Sequence, residues 1–274
     1  MTRSTRRTRM LQSGVAGAAA LLGLSACSSS SSDGSSEAGS DASASSAPKL
    51  SGTVTVFAAA SLKETFTTLG KEFEQQHPGT KVTFNFGGSD SLAASITSGA
   101  PADVFAAASP KTMAIVTDKS EAAGTPVTFV RNQLEIATAP GNPDKVSSLK
   151  DLTRSGLKVV LCDKTVPCGA AAQKVLDASH LKLTPVSYEQ DVKSALTKVE
   201  LKEADAALVY KTDVKTAAGR VQGVEFPESS EAVNDYPIAL LGNAPNATAA
   251  KAFIDLVTSA DGQKVLTGAG FLKP

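Results

Sequence analysis

Histidine and cysteine are almost missing from this chain: its 274 residues include two of the first and three of the second. His77 and His180 each stand beside a predicted helix end, with no second histidine or acid at ligand spacing, which argues against a histidine-built metal or catalytic centre. There is no G-x-S-x-G elbow, no phosphate-binding P-loop and no G-x-G-x-x-G turn. Excess charge is missing too. The 27 basic residues equal the 27 acidic ones and form no basic block, which argues against nucleic acid as a partner. No apolar run suits a spanning helix, since the sustained stretch Val15–Leu24 is short.

That stretch follows Arg3, Arg6, Arg7 and Arg9 and precedes Leu24-Ser25-Ala26-Cys27, so residues 1–26 read as a secretory signal peptide. The Leu-x-x-Cys ending resembles a bacterial lipobox, which implies that Cys27 becomes a lipidated first residue; ordinary cleavage would leave it free. Residues 27–48 are Ser, Gly, Ala and acid without a large apolar side chain, the composition of a disordered tether. An acyl anchor, a tether and a folded body would hold the protein at the extracytoplasmic face of the cell membrane without spanning it. Four of the basic and three of the acidic residues fall in these N-terminal segments, leaving a body close to neutral. Cys162 and Cys168 remain, and in an exported protein so close a pair is a disulfide candidate; two free buried thiols are the alternative.

The body is organised around Thr53–Leu62, TVTVFAAASL. Its β-branched and aromatic first half predicts a strand, three alanines let the chain turn, and Ser61 with Glu64 predicts a capping box opening a helix. Leu62, Phe66, Leu69 and Phe73 then recur on one helical face. The same strand, small-residue turn and helix follow in Lys81–Phe86, Gly87–Ser91 and Leu92–Ser98. Two such turns on neighbouring parallel strands would face each other at the carboxyl edge of a sheet, where open α/β folds bind ligands, and their free N–H groups suit an anion.

Further strands are predicted at Asp103–Ala107, Leu157–Leu161, Pro185–Ser187, Ala206–Tyr210, Val224–Phe226 and Tyr236–Leu241, with a crossover across Val127–Thr138. Helices are predicted after Ser109-Pro110, over Ala170–Ser179, Asp191–Val199 and Lys211–Ala217, and near Ala247–Val257 and Ala260–Leu266. The alternation predicts an α/β protein with parallel-rich sheets. Two lobes are expected, one from 51–131 plus 236–274 and one from 132–235.

Thr53–Leu62, Gly99–Ala107 (GAPADVFAA), Val166–Gly169 and Leu208–Tyr210, in this order and spacing, resemble the periplasmic molybdate-binding proteins of ABC importers, a type II solute-binding protein family. The resemblance covers essentially all of Lys49–Pro274. It implies two α/β lobes, two hinge crossovers, molybdate or tungstate as ligand, no cofactor, no catalysis, a monomer, and ABC importer permease subunits as partners. It also implies the oxyanion contacts: the hydroxyls of Ser61, Ser89 and Tyr210 and the backbone N–H groups at Cys168 and Val192, the same residues contacting the metal oxyanion as a whole.

The chemistry agrees, because a deprotonated tetrahedral dianion can only accept hydrogen bonds. No Arg or Lys is expected in the Ser61, Ser89 or Val192 turns, Lys164 and Lys211 being counted as the nearest basic residues. An amino-acid receptor would instead use a bidentate Arg. Taken singly, Ser61 and Ser89 could be helix caps and Tyr210 a core aromatic. Asp90 is expected to cap and face away, with ligation of the metal as the alternative. A receptor for sulfate or another oxyanion is the runner-up reading, and a hydrolase using Ser61 the one from a different class.

Overall fold

The computed structural model describes residues 49–274; the signal peptide, the tether and Cys27 lie outside the described residues. Strand β1 (Gly52–Ala59) runs through one turn of 3-10 helix at Ala60–Leu62 into α1 (Lys63–Gln76). Then come β2 (Thr80–Gly87), α2 (Ser89–Thr97), β3 (Val104–Ala106), α3 (Pro110–Thr117) and β4 (Val127–Asn132). After the single residue Gln133 the chain continues as β5 (Leu134–Thr138), a 3-10 segment at Leu149–Thr153, β6 (Val159–Cys162) and α4 (Pro167–Ala178). It goes on through β7 (Ser187–Glu189), α5 (Val192–Glu200), β8 (Ala206–Tyr210), α6 (Lys211–Thr216) and β9 (Gln222–Val224). A 3-10 segment at Pro227–Ala232 leads to β10 (Asn234–Leu240), α7 (Ala247–Thr258) and α8 (Ala260–Gly268).

The ten strands make two five-stranded sheets, ordered β2-β1-β3-β10-β4 and β7-β6-β8-β5-β9. In each sheet three parallel strands come first and the fourth, β10 or β5, runs antiparallel to its neighbours. Both sheets are therefore mixed. The chain leaves the first sheet after Asn132 and returns to it at Asn234, and these two asparagines are register partners.

Strand alternation sets the layers of the first sheet. Val54, Val56 and Ala58 face the large core with Phe66, Leu69 and Phe73 of α1, while Phe57 and Phe105 face a second cluster with Leu92, Ile96, Met113 and Val116 of α2 and α3. The apolar stripe of α1 is fully buried, and each of its large side chains contributes about 1.5–3 kcal/mol. A helix layer on each face keeps the carboxyl edge clear for ligand.

Several predicted boundaries move for local reasons. Helix α4 begins at Pro167, three residues before the predicted start, because proline's fixed φ suits a first helical position. The strand predicted at Val224–Phe226 lies at Gln222–Val224, and Phe226 instead caps the 3-10 segment that follows. The strand predicted at Pro185–Ser187 shifts to Ser187–Glu189 beside β6. Ser61 and Glu64 do not form a capping box: Ser61 sits inside the 3-10 turn, α1 starts after Leu62 without a side-chain cap, and the serine hydroxyl turns to Tyr236.

Candidate functional site

A small cavity of about 20 Å³ lies where the helix starts of the two sheets converge. Ser61, Ser89, Cys168, Val192 and Tyr210 all line it, so the structure brings together every sequence-predicted oxyanion residue. Drug-sized ligand pockets run from about 300 to 1,000 Å³, so this space is far too small for an ordinary organic ligand.

The first sheet contributes Ser61, after β1, and Ser89, the first residue of α2. The second contributes the first turns of α4 and α5, together with Tyr210 at the end of β8. In α5 the Asp191 carboxylate accepts from Lys193 N (2.8 Å) and Ser194 N (3.0 Å), while Val192 N–H has no protein acceptor among the described residues. Asp191 lines the cavity but is turned into its own helix, where it satisfies orphan donors and leaves the Val192 N–H unengaged beside the cavity.

The hydroxyls are supplied with protein donors. Ala108 N–H donates to Ser89 Oγ (3.0 Å), and Asn234 Nδ2 donates to the Tyr210 hydroxyl (2.9 Å). Ser61 Oγ lies 2.9 Å from the Tyr236 hydroxyl. Gln133 N–H fixes Asn132 by donating to its Oδ1, so Asn132 Nδ2 must donate to Thr212 Oγ1 (2.8 Å) and towards Tyr236 (3.4 Å). A hydroxyl that already accepts from the protein keeps its proton for the cavity. Burial pushes the Tyr210 and Tyr236 hydroxyls well above the ordinary tyrosine range, so both remain protonated.

Cys162 and Cys168 form a disulfide that closes the β6–α4 loop. Cys168 thus has its sulfur engaged, and the group it offers the cavity is its backbone N–H. The two sheets' elements nearly touch here: a Cβ on Gly88 would lie 2.4 Å from the Gln190 carbonyl oxygen.

Two expectations need correction. Asp90 does not cap α2; its Oδ2 meets Thr165 Oγ1 of the β6–α4 loop at 3.3 Å, its Oδ1 is buried without a partner, and it does not line the cavity. Lys164 and Lys211 are not the nearest basic residues either. Lys193 follows Val192 directly, and its Nζ lies 2.9 Å from Glu64 Oε2 of α1 and 3.1 Å from Asp213 Oδ1 of α6. The fully buried Asp213 carboxyl is pushed up to about 6 by burial, with Lys193 pulling against that rise. Burial works against the Lys193 charge, but Asp213 and Glu64 outweigh it and hold the ammonium above its usual value. The lysine is neutralised in place, so the cavity still meets a donor set without an unpaired cation at this corner.

Sequence reasoning missed Ala108, Asn132, Asn234 and Tyr236, because asparagines and a core tyrosine carry no motif. Ser61 has a tyrosine hydroxyl as its side-chain partner, not a histidine or carboxylate, so no base is positioned to make it a nucleophile. Among the described residues no group of three or more His, Cys, Asp or Glu could hold a metal, and no helix is long and apolar enough to cross a membrane.

Two α/β sheets of one topology, converging on an ion-sized cavity lined by hydrogen-bond donors, define a ligand-capturing protein of the periplasmic-binding type. Residues 54–272 match the family of bacterial extracellular solute-binding proteins. The molybdate-binding protein ModA of Mycobacterium tuberculosis is 43% identical over 265 residues, covering 96% of this chain and 98% of that protein. The substrate-binding domain of a molybdenum ABC transporter from Clostridium difficile superposes with a TM-score of 0.61 at 30% identity, covering 82% of this chain and all of that one. The periplasmic molybdate-binding protein of Azotobacter vinelandii shares the fold, with a TM-score of 0.71 at 21% identity over 81% of this chain and 99% of its own. The chain belongs to the bacterial extracellular solute-binding protein family and, within it, to the ModA molybdate-binding proteins. Members of this family are solute-binding proteins, not enzymes, and are extracytoplasmic.

Proposed function

We propose that this protein captures molybdate outside the cytoplasm and delivers it to the permease subunits of an ABC importer. The observation that carries the reading is the donor-only cavity: three hydroxyls supplied with protein donors or hydroxyl partners, and helix-start N–H groups at Cys168 and Val192, around a space of about 20 Å³. A tetrahedral dianion accepts from each of them, and contact with both sheets at once favours the closed arrangement by its differential affinity. Sulfate is disfavoured by its smaller size, and hydrogen phosphate because its proton finds no acceptor.

Tungstate, of nearly the same size and charge, binds in the same way. The protein needs no cofactor, performs no catalysis and works as a monomer, with Ser61, Ser89, Cys168, Val192 and Tyr210 as its oxyanion contacts. Lobes of 51–131 plus 236–274 and of 132–235 close on the ion. An acyl chain on Cys27 holds the body at the membrane, and Cys27→Ser is expected to release it to the soluble fraction; retention of that variant in membranes would refute the anchor.

Calorimetry tests the ligand, since the chain has no tryptophan and three tyrosines to report by fluorescence. Micromolar or tighter binding of molybdate, alone or with tungstate, is the expected result. Equal or better sulfate binding would make this a receptor for another tetrahedral oxyanion, and ester turnover without anion binding would make it a hydrolase.

A further inference from the structure

We propose that Asn234, at the start of β10, is a positioning residue that sets the anion selectivity of the cleft by forcing the Tyr210 hydroxyl to donate into it, beside a Ser89 hydroxyl already committed as a donor by the Ala108 N–H. The inference deepens the oxyanion reading above and rests on it. One amide nitrogen makes two contacts: Asn234 Nδ2 lies 2.8 Å from the Ala108 carbonyl oxygen and 2.9 Å from the Tyr210 hydroxyl. A carbonyl oxygen can only accept, so the group facing Ala108 must be the amide nitrogen and not its oxygen. The second amide proton then points at Tyr210, whose oxygen accepts it and whose own proton is left for the cavity.

The other arm passes through the same peptide segment. Ala108 accepts from Asn234 with its C=O and donates its N–H to Ser89 Oγ at 3.0 Å. A backbone N–H can only donate, so Ser89 accepts there and its hydroxyl proton is also left over. Ala108 follows β3 of the first sheet and Tyr210 ends β8 of the second, while Asn234 stands opposite Asn132 where the chain passes between them. One side chain on the connecting strand therefore reaches both sheets: it sets the polarity of the Tyr210 hydroxyl directly and holds the Ala108 segment whose N–H sets that of Ser89.

The consequence is selectivity between protonated and unprotonated anions. With both hydroxyls committed as donors, an anion bearing an O–H group must leave that proton unpaired, and a buried unpaired group costs more than a bond gains. A carboxylate at position 234 would reverse this. It would accept the Tyr210 proton and turn a tyrosine lone pair towards the ligand, which repels molybdate and welcomes the proton of hydrogen phosphate.

The test is calorimetric titration of the wild type and Asn234→Asp with molybdate and with phosphate, alongside their melting temperatures. Failure of the wild type to bind molybdate would sink the oxyanion reading itself, whatever the variant does. Given wild-type binding, Asn234→Asp is expected to weaken molybdate by roughly tenfold or more while phosphate is unchanged or tighter, so the selectivity ratio falls. An equal loss for both anions, or no change in either, overturns the proposal. If Asn234→Asp does not fold, a cycle of Asn234→Ala and Tyr210→Phe decides: losses in molybdate affinity that fail to add support action through Tyr210, and additive losses overturn it.

Discussion

The two sheets share a strand order and place helix starts at equivalent corners, yet they line the cavity by different means. The first sheet offers side chains: Ser61 after β1 and Ser89 after β2, each hydroxyl held by a partner from elsewhere in the fold. The second offers main chain after β6 and β7, at Cys168 and Val192, and adds the single hydroxyl of Tyr210. The topology thus dictates where donors converge, and residue choice decides whether a donor is a replaceable side chain or a peptide N–H that any residue provides. The first half is consequently exposed to point substitution at the contact itself. The second is exposed through the shape of its loops.

The largest effect expected is on the first half. Ser61→Ala or Ser89→Ala should weaken molybdate binding by about 1–3 kcal/mol in calorimetry, because an oxygen of the ion and a protein donor both lose a partner. Unchanged affinity would remove that serine from the contact set. For the second half the corresponding damage is to the loop. Replacing Cys162 and Cys168 together by alanine frees a short closed loop, with an expected loss of about 2 kcal/mol in folding stability, seen as a lower melting temperature, and weaker anion binding. A variant of native affinity would show that the loop holds its shape without the bridge.

A pH dependence separates the sheets next. Glu135 on β5 is buried, and burial raises its carboxyl from the usual 4.5 to about 7, with Lys211 opposing the rise and Glu225 adding to it. The folded protein therefore keeps this proton to higher pH than the unfolded chain does, so stability falls as pH climbs from about 4.5 to 7 and stays reduced above. Glu135→Gln should remove that slope and melt higher than the wild type at pH 8, by about 1–2 kcal/mol, with little difference near pH 4.5. A wild-type stability that is flat across this window would refute it.

Smaller effects complete the contrast. Glu64→Gln removes the half-exposed partner of Lys193, a link between α1 and α5, and should weaken ion binding by about 0.2–1 kcal/mol, less in high salt. Val192→Ala should change affinity by about threefold or less, because its N–H survives the substitution. A tenfold loss there would mean that the valine side chain, not the backbone, matters to the ion.

Much of this was legible in the residues. The alternation in Thr53–Phe57 and the stripe from Leu62 to Phe73 announce a strand and a helix because burial demands those periods. Ala206–Tyr210 is read to the residue, being apolar throughout and buried on both faces. The cavity's lining was reachable through the resemblance, whose contacts fall at strand-to-helix corners. Capping at Ser61 was misread because a Ser-x-x-Glu spacing cannot reveal that a tyrosine 175 positions away claims the hydroxyl. The mixed sheets were only partly foreseen, since strand direction is set by pairing partners and not by local pattern. Lys193 stands beside Val192 in the sequence, but its neutralisation was not legible there, because its partners Glu64 and Asp213 come from two other helices.

Gly88 gives the arrangement its tolerance. Its bare α-carbon passes the Gln190 carbonyl with room for hydrogen alone, so the two halves meet there flush, like a lid seated on its rim. A methyl group at that point would act as a doorstop, holding the lid ajar while every hydroxyl and peptide donor stayed chemically intact. The shape of the cleft is then a matter of clearance as much as of chemistry, and the smallest residue in the alphabet is what sets it.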